Sequence, residues 1–332
     1  MSTVDVIVPC YRYGHYLKEC VESVLTQSGP GVRVLIIDDF SPDNTTEVAA
    51  ELARDDSRVT VFRHTSNQGH IATYNEGIGW ASADYLLLLS ADDYLLPGAL
   101  NRAVALMDNQ PEVGFVFGNA IELNEVGQQR LTNDFKCGND TWIFTGPEFV
   151  RRSSAGNIVT TATAVVRTRL QKQVGGYRVE LPHSGDMEMW LRLAAFASVG
   201  YVEAPQAVYR RHNTNMSLGY MAEGFLHDME QRKAALDYFF LSCGNLLPDG
   251  NRLRRDAYWS MGRAMLGLAS LSFDRGNMNA SEQLRELAVV ACPRVRRSMS
   301  WVKLGCRRAL GYDTWLSLAP VVNCVRRLGL PL

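Results

Sequence analysis

The sequence predicts an α/β protein with a doubly wound, mostly parallel sheet and an α-helical C-terminal region. Short apolar strands alternate with amphipathic helices through the first third of the 332-residue chain, as parallel sheets require. Residues 86–89 are all leucine, which is typical of a strand buried on both faces of such a sheet. From residue 218 onward, helical patterns replace strand patterns. We therefore expect two parts, residues 1–217 and residues 218–332.

The elements of the first third follow from their apolar spacing and their turn residues. Leu17, Val21 and Val24 fall on one helical face, and residues 41–44 (Ser-Pro-Asp-Asn) supply a turn and an N-cap for the next helix. The predicted strands are residues 4–8, 33–37, 59–62, 86–89 and 114–117. The predicted helices are residues 15–27, one that ends near residue 54, residues 71–81 and one that begins at Pro97.

The pattern of the following hundred residues is weaker. Residues 119–145 predict irregular strands and loops, whereas residues 157–167, rich in Thr and Val, predict a strand. Residues 186–197 carry apolar side chains at helical core spacing. Two short strands, residues 201–202 and 208–209, are expected to close the sheet.

Composition and charge argue against several classes of protein. The net charge of −1 does not suit a basic nucleic-acid-binding protein. The chain runs into its first strand without a signal-peptide pattern, and its nearest candidate membrane span, residues 315–325, is short and interrupted by Pro320 and Asn323. Seven cysteines without a Cys-x-x-Cys pair favour reduced thiols over a zinc site or a disulfide framework. We expect a cytoplasmic protein that binds no nucleic acid.

Acidic residues stand at three turns of the predicted fold. Asp38-Asp39 ends the second strand, Asp92-Asp93 ends the fourth, and Asp186 opens a later helix. Each of them alone could cap a helix or interact with its dipole. Open α/β sheets, however, bind ligands at the carboxyl ends of their strands, and buried carboxylates need a cation or hydrogen-bond donors. Together the three groups predict one crevice that holds a hard metal ion and whatever that metal carries.

A series of motifs occurs in a characteristic order between residues 3 and 217. They are Val6-Ile7-Val8-Pro9-Cys10-Tyr11, Ile36-Ile37-Asp38-Asp39-Phe40-Ser41-Pro42-Asp43, Asn67-Gln68-Gly69, Asn75-Glu76-Gly77-Ile78, Ser90-Ala91-Asp92-Asp93-Tyr94-Leu95-Leu96-Pro97-Gly98, Gly175-Gly176-Tyr177, Asp186-Met187-Glu188-Met189-Trp190 and Tyr209-Arg210-Arg211-His212. With this ordered set the chain resembles the inverting family-two glycosyltransferases with a GT-A-type fold, of the bacterial polysaccharide or cell-envelope type. The set is far more specific than any single motif.

The resemblance implies a nucleotide site at the carboxyl ends of the first strands. Pro9 and Tyr11 would pack on or beside a uracil base, for which tyrosine offers a flat apolar face with a polar tip. One carboxylate of Asp38 and Asp39 would accept the imide N–H of the base, and either could do so. Asp92 would hold the ribose or the nucleotide. The implied donor is a nucleotide-diphosphate sugar, with UDP-sugars favoured.

The resemblance also implies metal and catalytic roles. Asp93, with His212 as a further contact, would hold Mg²⁺ or Mn²⁺, which use carboxylates together with substrate phosphates. The cation would neutralise charge on the leaving diphosphate. Asp186 would act as general base toward the acceptor hydroxyl, and Glu188, two residues further along the helix, is the competing candidate. The alternative for His212 is a solvent-facing structural role.

Two positions depart from the family pattern. Many members have an acidic residue where this chain has Ser90, and many have arginine where it has Tyr74. The adjacent pair Asp92-Asp93 is expected to suffice for the metal. The tyrosine leaves the identity of the donor open.

The C-terminal residues 293–332 form a basic tail with eight Lys or Arg and one acidic residue. Its cations are interleaved with Trp301, Val302, Leu304 and Leu310. Six of them are Arg294, Arg296, Arg297, Lys303, Arg307 and Arg308. Basic helices with apolar faces can lie on anionic membranes, which would suit a lipid-linked acceptor at the inner face of the plasma membrane. The alternatives are a helical cap with a solvated basic face and a homo-oligomer interface.

Other functions fit the sequence less well. Residues 9–14 lack the glycines with which a dinucleotide-dependent oxidoreductase approaches a pyrophosphate, and they lack the glycine-rich basic loop of a sugar-phosphate nucleotidyltransferase. A non-catalytic sugar-nucleotide-binding scaffold would not need Asp186 as a base. We therefore predict an inverting, metal-dependent hexosyl- or N-acetylhexosaminyl-transferase that acts on a saccharide or lipid-linked acceptor hydroxyl.

Overall fold

The computed structural model describes residues 1–132, 140–221 and 225–318, and within them a ten-stranded mixed sheet carries helices on both faces. The strands are β1 Thr3–Cys10, β2 Gly31–Asp38, β3 Val59–Arg63, β4 Tyr85–Leu88, β5 Tyr94–Leu95, β6 Val113–Asn124, β7 Gln129–Leu131, β8 Thr141–Phe144, β9 Val165–Arg167 and β10 Ser198–Arg211. The helices are α1 Gly14–Leu25, α2 Thr45–Asp55, α3 His70–Trp80, α4 Ala99–Asn109, α5 Gly146–Ser153, α6 Thr168–Val174, α7 Gly185–Ala194, α8 Ser217–Met221, α9 Leu226–Cys243, α10 Gly250–Asp274, α11 Met278–Ala291 and α12 Met299–Leu310.

The order of the strands places most of their carboxyl ends at one edge of the sheet. The order is β3-β2-β1-β4-β9-β6-β10-β5, with β7 beside β6 and β8 beside β10. Strands β1 to β4 run parallel, β9 runs antiparallel between β4 and β6, and β10 is parallel to β6. Consequently β1, β2, β4, β6 and β10 all end at the same edge. The predicted α/β class is confirmed.

The sheet separates two apolar cores. Because side chains alternate along a strand, Val6 and Ile7 of β1 belong to different cores. The core that contains Val6 is completed by α1, α2 and α4, and the core that contains Ile7 is completed by α3, α5 and α7. Helices therefore cover both faces, as a doubly wound sheet requires.

The helical C-terminal region shares the second of these cores. Leu236 and Phe239 of α9, Met261 of α10 and Leu284 of α11 lie in one buried cluster with Trp190 of α7. Among the residues that the structure describes after β10 there is no further strand, and the helices there form the α-helical C-terminal region that the sequence predicts. The division at residues 217 and 218 stays a prediction. Within the described residues, no helix is long and apolar enough to cross a membrane.

Two segments differ from the sequence prediction. Of residues 157–167, only β9 is a strand, and Thr161–Thr163 forms a 3-10 helix. The Thr163 hydroxyl donates to the backbone oxygens of Thr160 (2.8 Å) and Gly118 (3.2 Å), and such local bonds compete with a strand ladder. Conversely, the two predicted strands at 201–202 and 208–209 are parts of β10. The pairing of this strand with β6 shifts register on both sides of Pro205, because proline has no N–H to donate to the neighbouring strand.

Phe239→Ala is expected to lower the free energy of unfolding by about 3–5 kcal/mol, because it empties a fully buried site where α9 meets the core. Leu241→Ala on the same helix is the matched control, since this side chain is 84% exposed and its loss should cost less than about 0.5 kcal/mol. Urea unfolding followed by tryptophan fluorescence measures both values. Equal effects of the two changes would contradict a core shared between the two parts.

Candidate active site

The loop after β4 carries Asp92 and Asp93 into the carboxyl edge of the sheet. The Leu89 N–H continues the pairing with the backbone oxygen of Ile7 (2.9 Å), and a turn from Ser90 follows. The two acidic residues are only 6% and 4% exposed. Burial raises the pKa of Asp92 and, together with the charge of Asp92, raises the pKa of Asp93 well above its usual range. A cation would stabilise this pair of buried carboxylates.

Arg210, near the end of β10, holds this carboxylate pair in place. Its backbone N–H donates to Asp93 Oδ1 (3.0 Å), and its Nη1 donates to the backbone oxygen of Asp92 (2.7 Å). The guanidinium lies between the rings of Tyr16 and Tyr94, 4.8 Å from each centroid. The link joins residues that are 117 positions apart in the sequence.

His212, just after β10, contacts Asp92. Its Nε2 is 3.1 Å from Asp92 Oδ2, and its Nδ1 is 2.7 Å from the Thr214 hydroxyl. The residue is buried against Tyr13 and Tyr16, so the alternative of a solvent-facing histidine is wrong. The imidazole instead orients the Asp92 carboxylate.

The donor set of this edge fits a hard cation that is also held by phosphate oxygens. In the part of the chain that the structure describes, no group of three or more His, Cys, Asp or Glu side chains has a metal-binding arrangement. Asp93 Oδ2 accepts no hydrogen bond from any described residue and is available as a ligand. Mg²⁺ commonly takes only one or two carboxylates and completes its shell with water and substrate phosphates. A pair of carboxylates is therefore enough.

Asp186 is half-buried at the start of α7 and accepts three hydrogen bonds, the longest of them from the Thr161 hydroxyl to Oδ2 (3.5 Å). Asn157 Nδ2 donates to Oδ2 (2.8 Å), and the Met187 N–H donates to Oδ1 (2.7 Å). Burial raises the pKa of Asp186 above that of an ordinary carboxylate. Asn157 lies in the segment that the sequence predicted as a strand, so its contact with Asp186 was missed.

Glu188 has a different environment. It is completely buried, with Oε1 3.0 Å from Arg178 Nε and Oε2 2.8 Å from Arg192 Nη2. Both carboxylate oxygens are therefore used in ion pairs inside the protein. A carboxylate held in this way supports the fold, whereas Asp186 keeps an accessible surface.

Helix α9 adds charged residues beside Asp186 that the sequence gave no reason to select. Asp228 accepts hydrogen bonds from His183 Nε2 (2.8 Å) and Arg232 Nε (3.0 Å). The His183 ring stacks on Tyr220 with 4.1 Å between the centroids. The positive charges of His183 and Arg232 lower the pKa of Asp186 and partly offset the effect of its burial.

Tyr74 of α3 lies within electrostatic range of both the carboxylate pair and Asp186. Its hydroxyl interacts with the Ser90 side chain, and burial followed by the charges of Asp186 and Asp92 raises the tyrosine pKa. The ring packs edge-on against Tyr177 with 5.3 Å between the centroids. The two positions that depart from the family pattern, 74 and 90, are therefore in contact with each other.

The predicted nucleotide residues lie at the ends of β1 and β2. Pro9 is the second-to-last residue of β1. Tyr11 comes directly after this strand, and 40% of its surface is exposed. Asp38 is completely buried, and its two oxygens accept hydrogen bonds from the Ser41 N–H (2.8 Å) and the Thr46 hydroxyl (2.8 Å). Arg63 Nε also lies 3.4 Å from Oδ2, so both oxygens of Asp38 already have partners inside the protein.

Asp39 holds the loop that precedes α3. Its Oδ1 accepts the Gln68 N–H (2.7 Å), and its Oδ2 accepts the Gly69 N–H (2.9 Å). His64 bridges Asp39 and Glu76, with 2.6 Å to each carboxylate. These hydrogen bonds raise the pKa of His64 in spite of its desolvation. The network fixes the orientation of Asp39 at the crevice edge.

The described part of the basic tail is partly neutralised within the protein. Arg307 pairs with Asp274 (3.2 Å) and Arg308 with Glu282 (2.5 Å). Leu304 is buried, whereas Val302 and Leu310 are about half exposed. The residues from 319 onward, which include most of the apolar stretch 315–325, lie outside the described residues. So does Cys137, and the described cysteines are free thiols.

Known proteins resemble this chain in both sequence and fold. Glycosyltransferase GlyG of Streptococcus pneumoniae is 34% identical over 146 residues, which cover 44% of this chain and 45% of GlyG. The structure of S. aureus TarS 1-349 in complex with UDP-GlcNAc matches with a TM-score of 0.68 at 19% identity, over 99% of this chain and 92% of that chain. Mannosyltransferase PcManGT from Pyrobaculum calidifontis, in complex with GDP-Man and Mn²⁺, matches with a TM-score of 0.56 at 16% identity, over 95% and 83%. At these identities the structural matches show a common fold.

The family assignment rests on the N-terminal half of the chain. Residues 5–172 match the model of the family described as Glycosyl transferase family 2. This range contains the ends of β1, β2 and β4, and therefore Asp39, Asp92 and Asp93. The protein is a member of glycosyl transferase family 2.

Proposed function

We propose that the protein is an inverting, metal-dependent glycosyltransferase that moves a sugar from a UDP-sugar to a hydroxyl group of a saccharide or lipid-linked acceptor. One observation carries this proposal: the buried pair Asp92 and Asp93 and the separate, half-buried Asp186 all lie close enough to Tyr74 for their charges to raise its pKa. A pair of carboxylates suits a cation with a diphosphate, and a lone accessible carboxylate suits a general base.

The nucleotide would bind along the ends of β1 and β2. The exposed Tyr11 ring offers a surface on which a base can stack. Asp39 is the better partner for the imide N–H of uracil, because Asp38 has no exposed surface whereas Asp39 keeps 4% of its surface exposed. The UDP-GlcNAc complex of TarS supports a uridine donor, and the GDP-Man complex of PcManGT makes guanosine the competing choice.

Asp93 and Asp92 would hold Mg²⁺ or Mn²⁺, and His212 would complete this group by fixing Asp92. When bound, the cation supplies positive charge that stabilises the leaving diphosphate. The Mn²⁺ in the complex of PcManGT supports this assignment. The raised pKa of both carboxylates also supports it, because burial and mutual repulsion favour a bound cation.

Asp186 would accept the proton of the acceptor hydroxyl. The hydroxyl oxygen bonds to the anomeric carbon while the bond from that carbon to the donor phosphate oxygen breaks, and the electron pair leaves with the diphosphate. Attack from the face opposite the diphosphate inverts the configuration of the carbon. Asn157 and the Met187 N–H hold the carboxylate for this transfer. A base in this position contributes about 10²–10⁴-fold to the rate.

The exposed part of the tail would bring the enzyme to an anionic membrane surface, where lipid-linked acceptors lie. Arg296, Arg297 and Lys303 are exposed in the same region as the exposed apolar side chains of Met299 and Val302. Such mixed surfaces bind interfaces through charge and apolar contact together. The membrane surface in this proposal is the cytoplasmic face of the plasma membrane.

UDP binding is expected to need Mn²⁺ and to weaken by about tenfold or more in Asp93→Ala, because this carboxylate would hold the cation whose charge stabilises the diphosphate. Isothermal titration calorimetry with and without Mn²⁺ measures it. Asp313→Ala, which removes an exposed carboxylate of the tail, should bind UDP like the unchanged protein. Binding of GDP or dTDP instead of UDP would overturn the donor assignment, and failure of all three nucleotides would contradict the transferase proposal.

Asp186→Asn is expected to lower kcat by about 10²–10⁴-fold while UDP affinity stays unchanged. Burial raises the pKa of Asp186, so the carboxyl is protonated and inactive below that pKa, and kcat rises with pH through it. The kcat for sugar transfer, corrected for hydrolysis of the donor, is measured over a pH series. It should fall at low pH in the unchanged enzyme, and this fall should be absent in the variant. A non-catalytic scaffold would give no turnover with either protein.

Glu188→Ala is expected to act on stability instead. Removing one partner of a buried ion pair leaves Arg178 and Arg192 uncompensated and should lower the free energy of unfolding by about 3–5 kcal/mol. Glu286→Ala, at an exposed position of α11, is the matched control. Chemical denaturation gives both values. A stable Glu188→Ala protein that has lost only kcat would reassign the base to Glu188.

A further inference from the structure

A groove with a volume of about 570 Å³ lies in the helical region and has no lining residue in common with the crevice. One wall is a face of α10 that carries Asn251, Arg254, Arg255, Tyr258 and Trp259. This spacing of three and four residues places their side chains on one side of the helix. We call this feature the helical groove.

Positive charge dominates the helical groove. Its other walls contribute Lys233 and Asp237 of α9 and Arg294, which follows α11. Asp237 is the acidic residue among the lining residues, and it is bonded to Lys233 Nζ (2.7 Å) and to the Tyr258 hydroxyl. Arg255 and Arg294 are exposed and form no ion pair within the described residues. Two guanidinium groups are thus available to an anion.

The orientation of α10 adds to this field. The helix begins at Gly250, and its first turn contains no acidic residue. The groove residue Asn251 lies in this first turn, so the positive end of the helix dipole is at one end of the groove, where the acidic N-cap residue Asp249 offsets part of it. Arg254 lies 5.7 Å from the centroid of the Tyr258 ring, an arrangement that keeps its guanidinium over the groove wall.

Apolar surface lies beside these cations. Trp259 is partly exposed, and Val290 at the end of α11 is 70% exposed. One end of a ligand in the groove would therefore contact arginine side chains, and its other end would contact Trp259 and Val290. Such a surface suits an anionic group that is attached to an apolar chain or a sugar ring.

We propose that the helical groove binds a phosphate-bearing ligand at a site separate from the sugar donor. Arg254, Arg255 and Arg294 contact the phosphate oxygens, for which the forked guanidinium geometry is suited. Trp259 and Val290 contact the adjoining part of the ligand. An anionic lipid headgroup and a soluble diphosphate offer the same phosphate chemistry. The proposal does not depend on the transferase mechanism above.

Titration of inorganic pyrophosphate into the full chain, in EDTA so that the crevice lacks a cation, tests the groove directly. Calorimetry should detect saturable binding that the double variant R254Q/R255Q weakens by about tenfold or more. R263Q removes an exposed arginine elsewhere on α10 and should bind like the unchanged protein. D93A should also retain the binding, because the crevice does not take part. Circular dichroism confirms that each variant is folded.

Sedimentation with phosphatidylcholine vesicles, with and without phosphatidylglycerol, separates the two sources of phosphate. Binding to the anionic vesicles that R254Q/R255Q loses and pyrophosphate competes away identifies a lipid headgroup. Pyrophosphate binding that the double variant weakens, without vesicle binding, identifies a soluble phosphate ligand. The proposal is overturned if R254Q/R255Q binds both probes as well as the unchanged protein, or if the unchanged protein binds neither.

Discussion

Two adjacent carboxylates buried at the end of β4 impose the constraint on which the site depends. Asp92 and Asp93 lose hydration, which raises the pKa of both, and the charge of Asp92 raises the pKa of Asp93 further. The Arg210 N–H and the His212 imidazole offset part of this cost. The rest can be offset by a cation that arrives with a diphosphate. In the proposed function, donor binding would therefore also relieve the buried charge, at the place where β1, β4 and β10 end together.

The helical region belongs to this site as much as the sheet does. Its helix α9 shares a core with α7, and Phe239 fixes how closely the two helices approach. The same helix presents Asp228 and Arg232 next to Asp186. Burial raises the pKa of Asp186, and nearby positive charge lowers it, so the ionisation of this carboxylate depends on how α9 is docked. A helical addition that carries no family motif thus adjusts the chemistry of the sheet edge.

Most of the sheet could be predicted from the sequence because apolar spacing and turn residues act over a few positions. The contacts that define the site are long-range and could not. The bond from Arg210 to Asp93 spans 117 positions, and no local pattern indicates it. Asp186 and Glu188 have the same chemistry in the sequence, and only the arginine partners of Glu188 distinguish them. The order of the motifs in the sequence predicted where the crevice lies. Long-range packing in the structure determines which side chains line it.

The contact between Tyr74 and Ser90 shows how the two departures from the family pattern belong together. An arginine at position 74 would meet an acidic residue at position 90, and here both are replaced by neutral hydroxyl groups that interact. The replacement leaves the charge balance near the carboxylates almost unchanged, but it removes a fixed positive charge from the crevice. Arg210 cannot take its place, because it is bonded to Asp92 and Glu19. In the proposed function, compensation of the donor's diphosphate charge would then fall more heavily on a cation held by Asp93, and the activity would depend on the metal more strongly than in relatives that keep the arginine.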